Sequence, residues 1–223
     1  MKNLRIQSFF IAMIILFLLI VPAIADNNRL IIETFSSGVD EKGIPLGWEL
    51  KEKEGSPIIK VEKEDDIYAL HLISEHASFG LTKTIDIDIK EYPYINFPWK
   101  VMELPDNGDF RKKETDDQAA QVYIAFGTFR LTAKIVGYLW DNKAPKLTTG
   151  VSPAWSKTRL IVLESGPEKL GKWVFEKRNL YDDYKELFEK EPSEAKLISL
   201  YINSQHTKSR AESYFGEIYF SKK

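Results

Sequence analysis

The side chains able to do chemistry are few in kind. The chain has three histidines and no cysteine. Without cysteine there is no thiolate nucleophile, no zinc–thiolate site and no iron–sulfur cluster. His71, His76 and His206 stand in no HExxH spacing and beside no serine–acid pattern. His71 falls in a strand and His76 just past it, both reading as structural or surface groups. His206 sits in a polar loop near Asn203 and Arg210, where it could touch a ligand but reads better as solvated. Glycoside hydrolysis needs two carboxyl groups facing each other across roughly 5–9.5 Å. The pair on offer is Asp116 or Asp117 with Glu164. Strand alternation puts Glu164 with Leu160 and Val162, opposite Arg159, and nothing in the spacing joins it to the aspartates. Asp116-Asp117 also reads simply as a turn that starts the next strand. Calcium takes roughly six to eight oxygens. Asp65-Asp66, Asp106 with Asn107 and Asp109, and Asp116-Asp117 could supply some, but no loop has an EF-hand pattern. No metal or cofactor is expected, and the residues favour binding over catalysis.

Aromatic side chains, 13% of the chain, are plentiful enough to supply both a core and a flat ligand platform. If Val122, Ile124 and Phe126 pack inward, alternation turns Gln121 and Tyr123 outward. Tyr138 and Trp140 are expected to share that outward face with Arg159, Tyr201 and Asn203 from other strands. Trp155, in a loop with Pro153, is a rim contact or a loop anchor, and Asp117 belongs to the acidic loop nearby. Rings cover the C–H face of a sugar, and Gln, Asn and Arg bond its hydroxyls. The candidate ligand-binding residues are therefore Tyr123, Tyr138, Trp140, Trp155, Arg159, Tyr201, Asn203 and Asp117, and the candidate ligand is a carbohydrate or a related envelope molecule. The competing reading makes these rings core, the commoner use of aromatics in a β-sandwich. An envelope protein is the alternative partner, recognised by the acidic loop 103–117 and the polar loop 205–212. Sequence does not separate it from a sugar.

The elements that would position these groups are short alternating runs. RLIIETF (29–35), GWELKEK (47–53), PIIKVEK (57–63), IYALHLIS (67–74), FGLTKTIDID (79–88) and PYINFPWKVME (93–103) read as strands. The third and fourth are joined as a hairpin over Glu64-Asp65-Asp66. Pro98 cannot donate to a ladder, so its strand is an edge or is bulged there. A long exposed loop is expected over 104–115. QAAQVYIAFG (118–127) and AKIVGYLWD (133–141) are strands, and a second long loop covers 142–156. The stretch 158–184 organises the remainder. Residues 160–163, apolar on both faces, read as a central strand. Gly166-Pro167 and Gly171 punctuate a turn, 173–178 form another strand, and Asn179 caps a short helix with Asp182 and Asp183 in its first turn. That helix is expected over about 180–189. KLISLYINS (196–204) and SYFGEIYF (213–220) close the chain. About ten to twelve strands and one helix fit an all-β, antiparallel, two-sheet jelly-roll sandwich over 26–223, read as one domain with its terminal strands paired. A closed up-and-down barrel is the competing architecture.

Residues 1–25 read as a secretory signal peptide. Lys2 and Arg5 precede the apolar run 9–21, and Pro22-Ala23-Ile24-Ala25 offers a cleavage site after Ala25. The run is short of the ~20 residues that span a bilayer, so an uncleaved anchor is the lesser reading. A periplasmic or extracellular location follows. Without Lys2 and Arg5, the 31 basic residues become 29 against 33 acidic. A mildly acidic chain with no basic stripe does not suit nucleic acid.

Gly171-Lys172-Trp173, Glu176-Lys177-Arg178-Asn179, Asp183-Tyr184 ahead of Phe188, Asp116-Asp117, the strand 120–123, the pair Tyr138 and Trp140, and the ending 214–218 together resemble the exported bacterial proteins of domain-of-unknown-function family 3047. The resemblance runs from about residue 35 to 220. It implies a jelly roll similar to galactose-binding-like and carbohydrate-binding modules. It implies no activity, the family being uncharacterised. Three positions depart from the family pattern. Asn203 and Gln205 stand where it tends to carry aspartates, and Pro98 stands where a basic residue is expected. A cation held by that acidic loop in the family would be weakened or lost here.

Overall fold

The computed structural model describes residues 28–127 and 132–223. The expected signal peptide and its cleavage site lie outside the described residues. In chain order the elements are β1 (Arg29–Glu33), β2 (Glu49–Glu54), β3 (Ile58–Glu64), β4 (Ile67–Glu75), β5 (Ser78–Ile87), β6 (Tyr94–Glu103), β7 (Ala120–Phe126), β8 (Lys134–Asp141), β9 (Thr149–Val151), β10 (Thr158–Ser165), β11 (Val174–Asn179), α1 (Leu180–Phe188), β12 (Ala195–Asn203), β13 (Arg210–Phe215) and β14 (Ile218–Ser221). They form two seven-stranded sheets packed as a jelly roll. The first runs β1-β14-β6-β13-β4-β3, with β11 on the other side of β6. The second runs β2-β5-β12-β7-β8-β10-β9.

The terminal strands β1 and β14 pair antiparallel, as expected. The β3–β4 hairpin turns on Asp65 and Asp66, both left-handed at φ 50° and 66°, the twist that two-residue hairpins favour. Asn179 caps α1 by accepting from the Asp182 N–H at 3.2 Å, and the helix stops where Glu189 turns left-handed. One pairing departs from expectation: β8 and β10 are parallel. The long connection between them allows the crossover, and it contributes β9 as an edge strand on β10.

Pro98 does not mark an edge, since β6 is paired on both sides. The proline falls where β13 ends and β14 begins. Gly216 bridges that break and donates its N–H to the Pro98 carbonyl at 3.0 Å. The ladder is irregular there, so a residue without an N–H costs it nothing.

Between the sheets runs an aromatic seam. Phe97 and Trp99 of β6 meet Tyr138 and Trp140 of β8, with Trp99 and Trp140 centroids 5.9 Å apart and Phe97 and Tyr138 6.2 Å apart. This overturns the outward placement of Tyr138 and Trp140. Val122 lies directly opposite Tyr138 in the ladder, and Ala120 opposite Trp140. Opposed residues share a face, so inward Val122 carries both rings inward. Tyr138 and Trp140 are each 0% exposed. The Tyr138 hydroxyl donates to Asp183 Oδ2 at 2.7 Å, and Trp140 Nε1 donates to the Gly166 carbonyl at 3.2 Å. Arg178 also pairs with Asp183, tying α1 to the seam.

Trp140→Ala is expected to destabilise the fold by about 3–5 kcal/mol, as buried Trp deletions do. Tyr138→Phe should cost only about 1–2 kcal/mol, because Arg178 still satisfies Asp183. Denaturant midpoints measure both, and equal losses would contradict this division of roles.

Candidate functional site

The outward face of the second sheet is where sequence alternation and structure agree. Gln121 and Tyr123 of β7 face out there, beside Ser199, Tyr201 and Asn203 of β12 in register: Tyr123 lies opposite Ser199, and Gln121 opposite Tyr201. Glycines on the flanking strands let the two tyrosines lie down along the sheet. A Cβ on Gly80 of β5 would stand 2.2 Å from Tyr201 Cδ2, and one on Gly137 of β8 would stand 2.5 Å from Tyr123 Cε1. A glycine inside a strand marks such a close approach. The two rings meet edge to face, centroids 6.2 Å apart.

A hydrogen-bonded relay fixes the polar groups around them. The Tyr123 hydroxyl donates to Gln121 Oε1 at 2.5 Å, and Gln121 Nε2 donates to Asn203 Oδ1 at 2.6 Å. That oxygen also accepts the Gln118 backbone N–H at 2.8 Å, while Asn203 Nδ2 donates to the Asp116 carbonyl at 2.6 Å. Together these residues floor an open groove of about 280 Å³. It crosses the sheet from Lys53 on β2 to Trp155 in the loop between β9 and β10. Beside Tyr123, the segment 104–115 is exposed as expected at Asp106, Asn107 and over 111–114, but its middle is buried. Phe110, 2% exposed, packs on Leu139, Leu160 and Val162. Asp141 pins this loop and the next, accepting the N–H groups of Phe110, Lys143 and Ala144 at 3.0, 2.8 and 2.7 Å.

Asp116 lines the groove, and its neighbour does not. Burial pushes the Asp116 carboxyl up to about 6, against the pull of the Gln118 amide and the His206 and Lys53 charges. Burial, and then the charge of Asp116, also raise the Tyr123 phenol far above its ordinary value, so it remains a hydrogen-bond donor. Asp117 is 0% exposed. It accepts the Thr207 N–H and hydroxyl at 2.6 and 2.8 Å, with His206 Nδ1 at 3.2 Å, and so clamps the loop before β13.

Of the eight candidate residues, the groove therefore gathers Tyr123, Tyr201, Asn203 and Trp155. Tyr138 and Trp140 are core, Asp117 is a loop clamp, and Arg159 lies on the opposite face of β10, with Nη1 on the Ser156 carbonyl at 2.7 Å. Glu164 is displaced as well. A register shift after Val162 sets it opposite Trp140, away from the face of Leu160 and Val162. Burial opposes its charge, but Lys146 and Lys169, at 2.7 and 2.8 Å, hold its carboxyl below the usual range. Asp116 and Glu164 thus sit on opposite faces of the sheet and form no catalytic pair. His71 lies in the other sheet, between Glu62 and Glu212 and stacked on Tyr214. Among the described residues no three His, Asp or Glu side chains could jointly hold a metal ion. Sequence reading missed Lys53, Ser78, Gln118, Thr158 and Ser199 as lining residues. The glycines inside two apolar strands were the available signal for the ring positions.

Solved structures similar to this chain share 9–12% of its residues in the matches that follow. The family 30 carbohydrate-binding module of a Clostridium thermocellum cellulosomal cellulase matches at 11% identity, covering 87% of this chain and 98% of its own, with a TM-score of 0.49. The family 11 module of another cellulase of that organism matches at 9%, covering 86% and 94%, with a TM-score of 0.46. A variant of the Rhodothermus marinus cellulase Cel12A matches at 12%, covering 85% and 98%, with a TM-score of 0.48. No curated protein matches the sequence. The family model described as protein of unknown function (DUF3047) matches residues 47–219, and the chain belongs to that family.

Proposed function

We propose that this protein is an exported, non-catalytic module that binds a carbohydrate chain in the groove across its second sheet. The observation carrying this reading is the floor itself: two tyrosine rings leaning over strand glycines, edge to face at 78°, with amide side chains fixed beside them. Rings present a flat apolar surface to the C–H face of a pyranose. The amides of Gln118 and Gln121 and the hydroxyls of Ser199 and Thr158 supply donors and acceptors to sugar hydroxyls. The groove is open along its length, which suits a chain better than a single enclosed sugar. Asp116 is the one carboxylate among the described lining residues. A glycosidase would need a partner carboxyl across the cleft, so the groove favours binding over hydrolysis.

Titration calorimetry against a panel of neutral oligosaccharides tests this. Tyr123→Ala and Tyr201→Ala are each expected to weaken binding about 10- to 100-fold, the loss of one stacking ring, while Trp140→Phe should leave affinity unchanged. A panel with no binder, or tyrosine variants that fold and bind like the parent, would remove the groove from consideration.

Asp116 predicts a pH signature. Its folded-state pKa of about 6 is raised from the ordinary 3.8, so between those values the folded chain holds a proton that the unfolded chain has lost. Stability from this group is full below about pH 4 and is lost as pH rises through about 6. The Asp116 carboxyl carbon should titrate near 6 by NMR, and Asp116→Asn should flatten the pH slope of the denaturant midpoint in that window. A carboxyl titrating at its ordinary value would refute the assignment.

A further inference from the structure

A second cavity, of about 640 Å³, opens behind the groove. Strand alternation at the ends of β8 and β10 separates the two. Ile135 and Thr158 face the groove, while their neighbours Lys134 and Arg159 face this cavity. The cavity is walled by the end of α1, which supplies Leu187 and Phe188, and by Glu189 and Lys190 just past it. The Phe188 ring is flanked by two cations: Lys134 Nζ lies 4.8 Å from its centroid, and the Arg159 guanidinium 5.3 Å. Lys157 adds a further charge to the lining, and exposed Glu189 is its one acid among the described residues. In a protein with a net charge of −2 this is a local reversal of sign.

We propose that this cavity is an oxyanion-binding site, taking the carboxylate, sulfate or phosphate groups of an acidic glycan or the free anions. Among the described residues, no carboxylate lies within ion-pair distance of Lys134, Arg159 or Lys190, whereas basic side chains elsewhere, such as Lys146 and Arg178, have acid partners. Lys134, Arg159 and Lys190, drawn together with no ion-paired carboxylate among the described residues, repel one another, and an anion seated between them removes that cost. The Lys134 ammonium registers the strain: burial first, and then the charges of Lys190 and Arg159, lower its pKa. Packing alone accounts for two cations against the Phe188 ring, but not for an open cavity that Lys190 also lines. Ser156, also in the lining, offers a neutral hydroxyl donor. The site does not depend on the groove being a sugar site, since its residues lie on the other side of the strands.

The test uses the whole folded protein and two kinds of probe: inorganic phosphate and sulfate as free anions, and tetragalacturonate as an anionic chain. Calorimetry at low salt should detect at least one of them. Raising the salt to about 0.5 M should weaken it several-fold. Lys134→Gln with Arg159→Gln together should weaken it at least about 10-fold, while thermal unfolding confirms that the variant folds. Exposed Lys190→Gln, which leaves the Phe188 packing untouched, should weaken it about 2- to 5-fold, and Tyr123→Ala should leave it unchanged. Preference for the free anions or for the tetramer identifies the source of the oxyanion, and either supports the site. No binding by any probe, or binding that survives the double substitution, overturns it. Binding of the tetramer that is lost in Tyr123→Ala but kept in the double variant would assign the ligand to the groove and likewise overturn the second site.

Discussion

The pairing of β7 between β8 and β12 is the constraint from which the rest follows. Val122 and Ile124, fully buried on one face of β7, select which side of the second sheet meets the first. The ladder then leaves no freedom. Tyr138, Trp140, Ile198 and Leu200 go in with Val122 and Ile124, while Gln121, Tyr123, Ser199 and Tyr201 come out together. A one-residue slip in either pairing would exchange the seam for the groove floor. The core and the candidate site are thus two outcomes of one register.

That register alone would leave the tyrosines standing upright from the sheet. The glycines opposite them remove the neighbouring side chains, so the rings settle into the vacated space and are ordered before any ligand arrives. The relay from Tyr123 through Gln121 to Asn203, held by the Gln118 backbone, does the same for the polar groups. Side chains fixed in advance lose little freedom on binding, which is where flexible sites spend much of their interaction energy. The loops at the edge are fixed by buried carboxylates instead: Asp141 gathers two of them, and Asp117 a third.

Much of the fold was legible because period-two alternation is a local property. Most strand positions, the capped helix and the hairpin could be read from neighbouring residues, but the run 213–220 read as one strand is β13 and β14, and β9 lies within the expected loop 142–156. The paired termini followed from the fold class. The parallel β8–β10 pair could not be read, because strand direction depends on how a crossover threads, which no local pattern encodes. The site was half legible. Tyr123 follows from alternation within β7, and Tyr201 and Asn203 from alternation within β12. Tyr138 and Trp140 were misplaced because their facing depends on cross-strand register, although setting Val122 opposite Tyr138 would have decided it. Glu164 was misread because a single irregularity after Val162 reverses the alternation behind it. Asp116 and Asp117 are adjacent and chemically identical, and only the fold distinguishes a groove-lining acid from a buried clamp.

The side-by-side terminal strands have a geometric consequence. β1 and β14 both belong to the first sheet, the layer whose far side never meets the groove. Anything fused or tethered through either strand joins the sandwich from its back layer. A partner grafted onto either strand would therefore stand on the side of the sandwich opposite the tyrosine floor. Extending the chain from either strand leaves the face that carries the groove unencumbered.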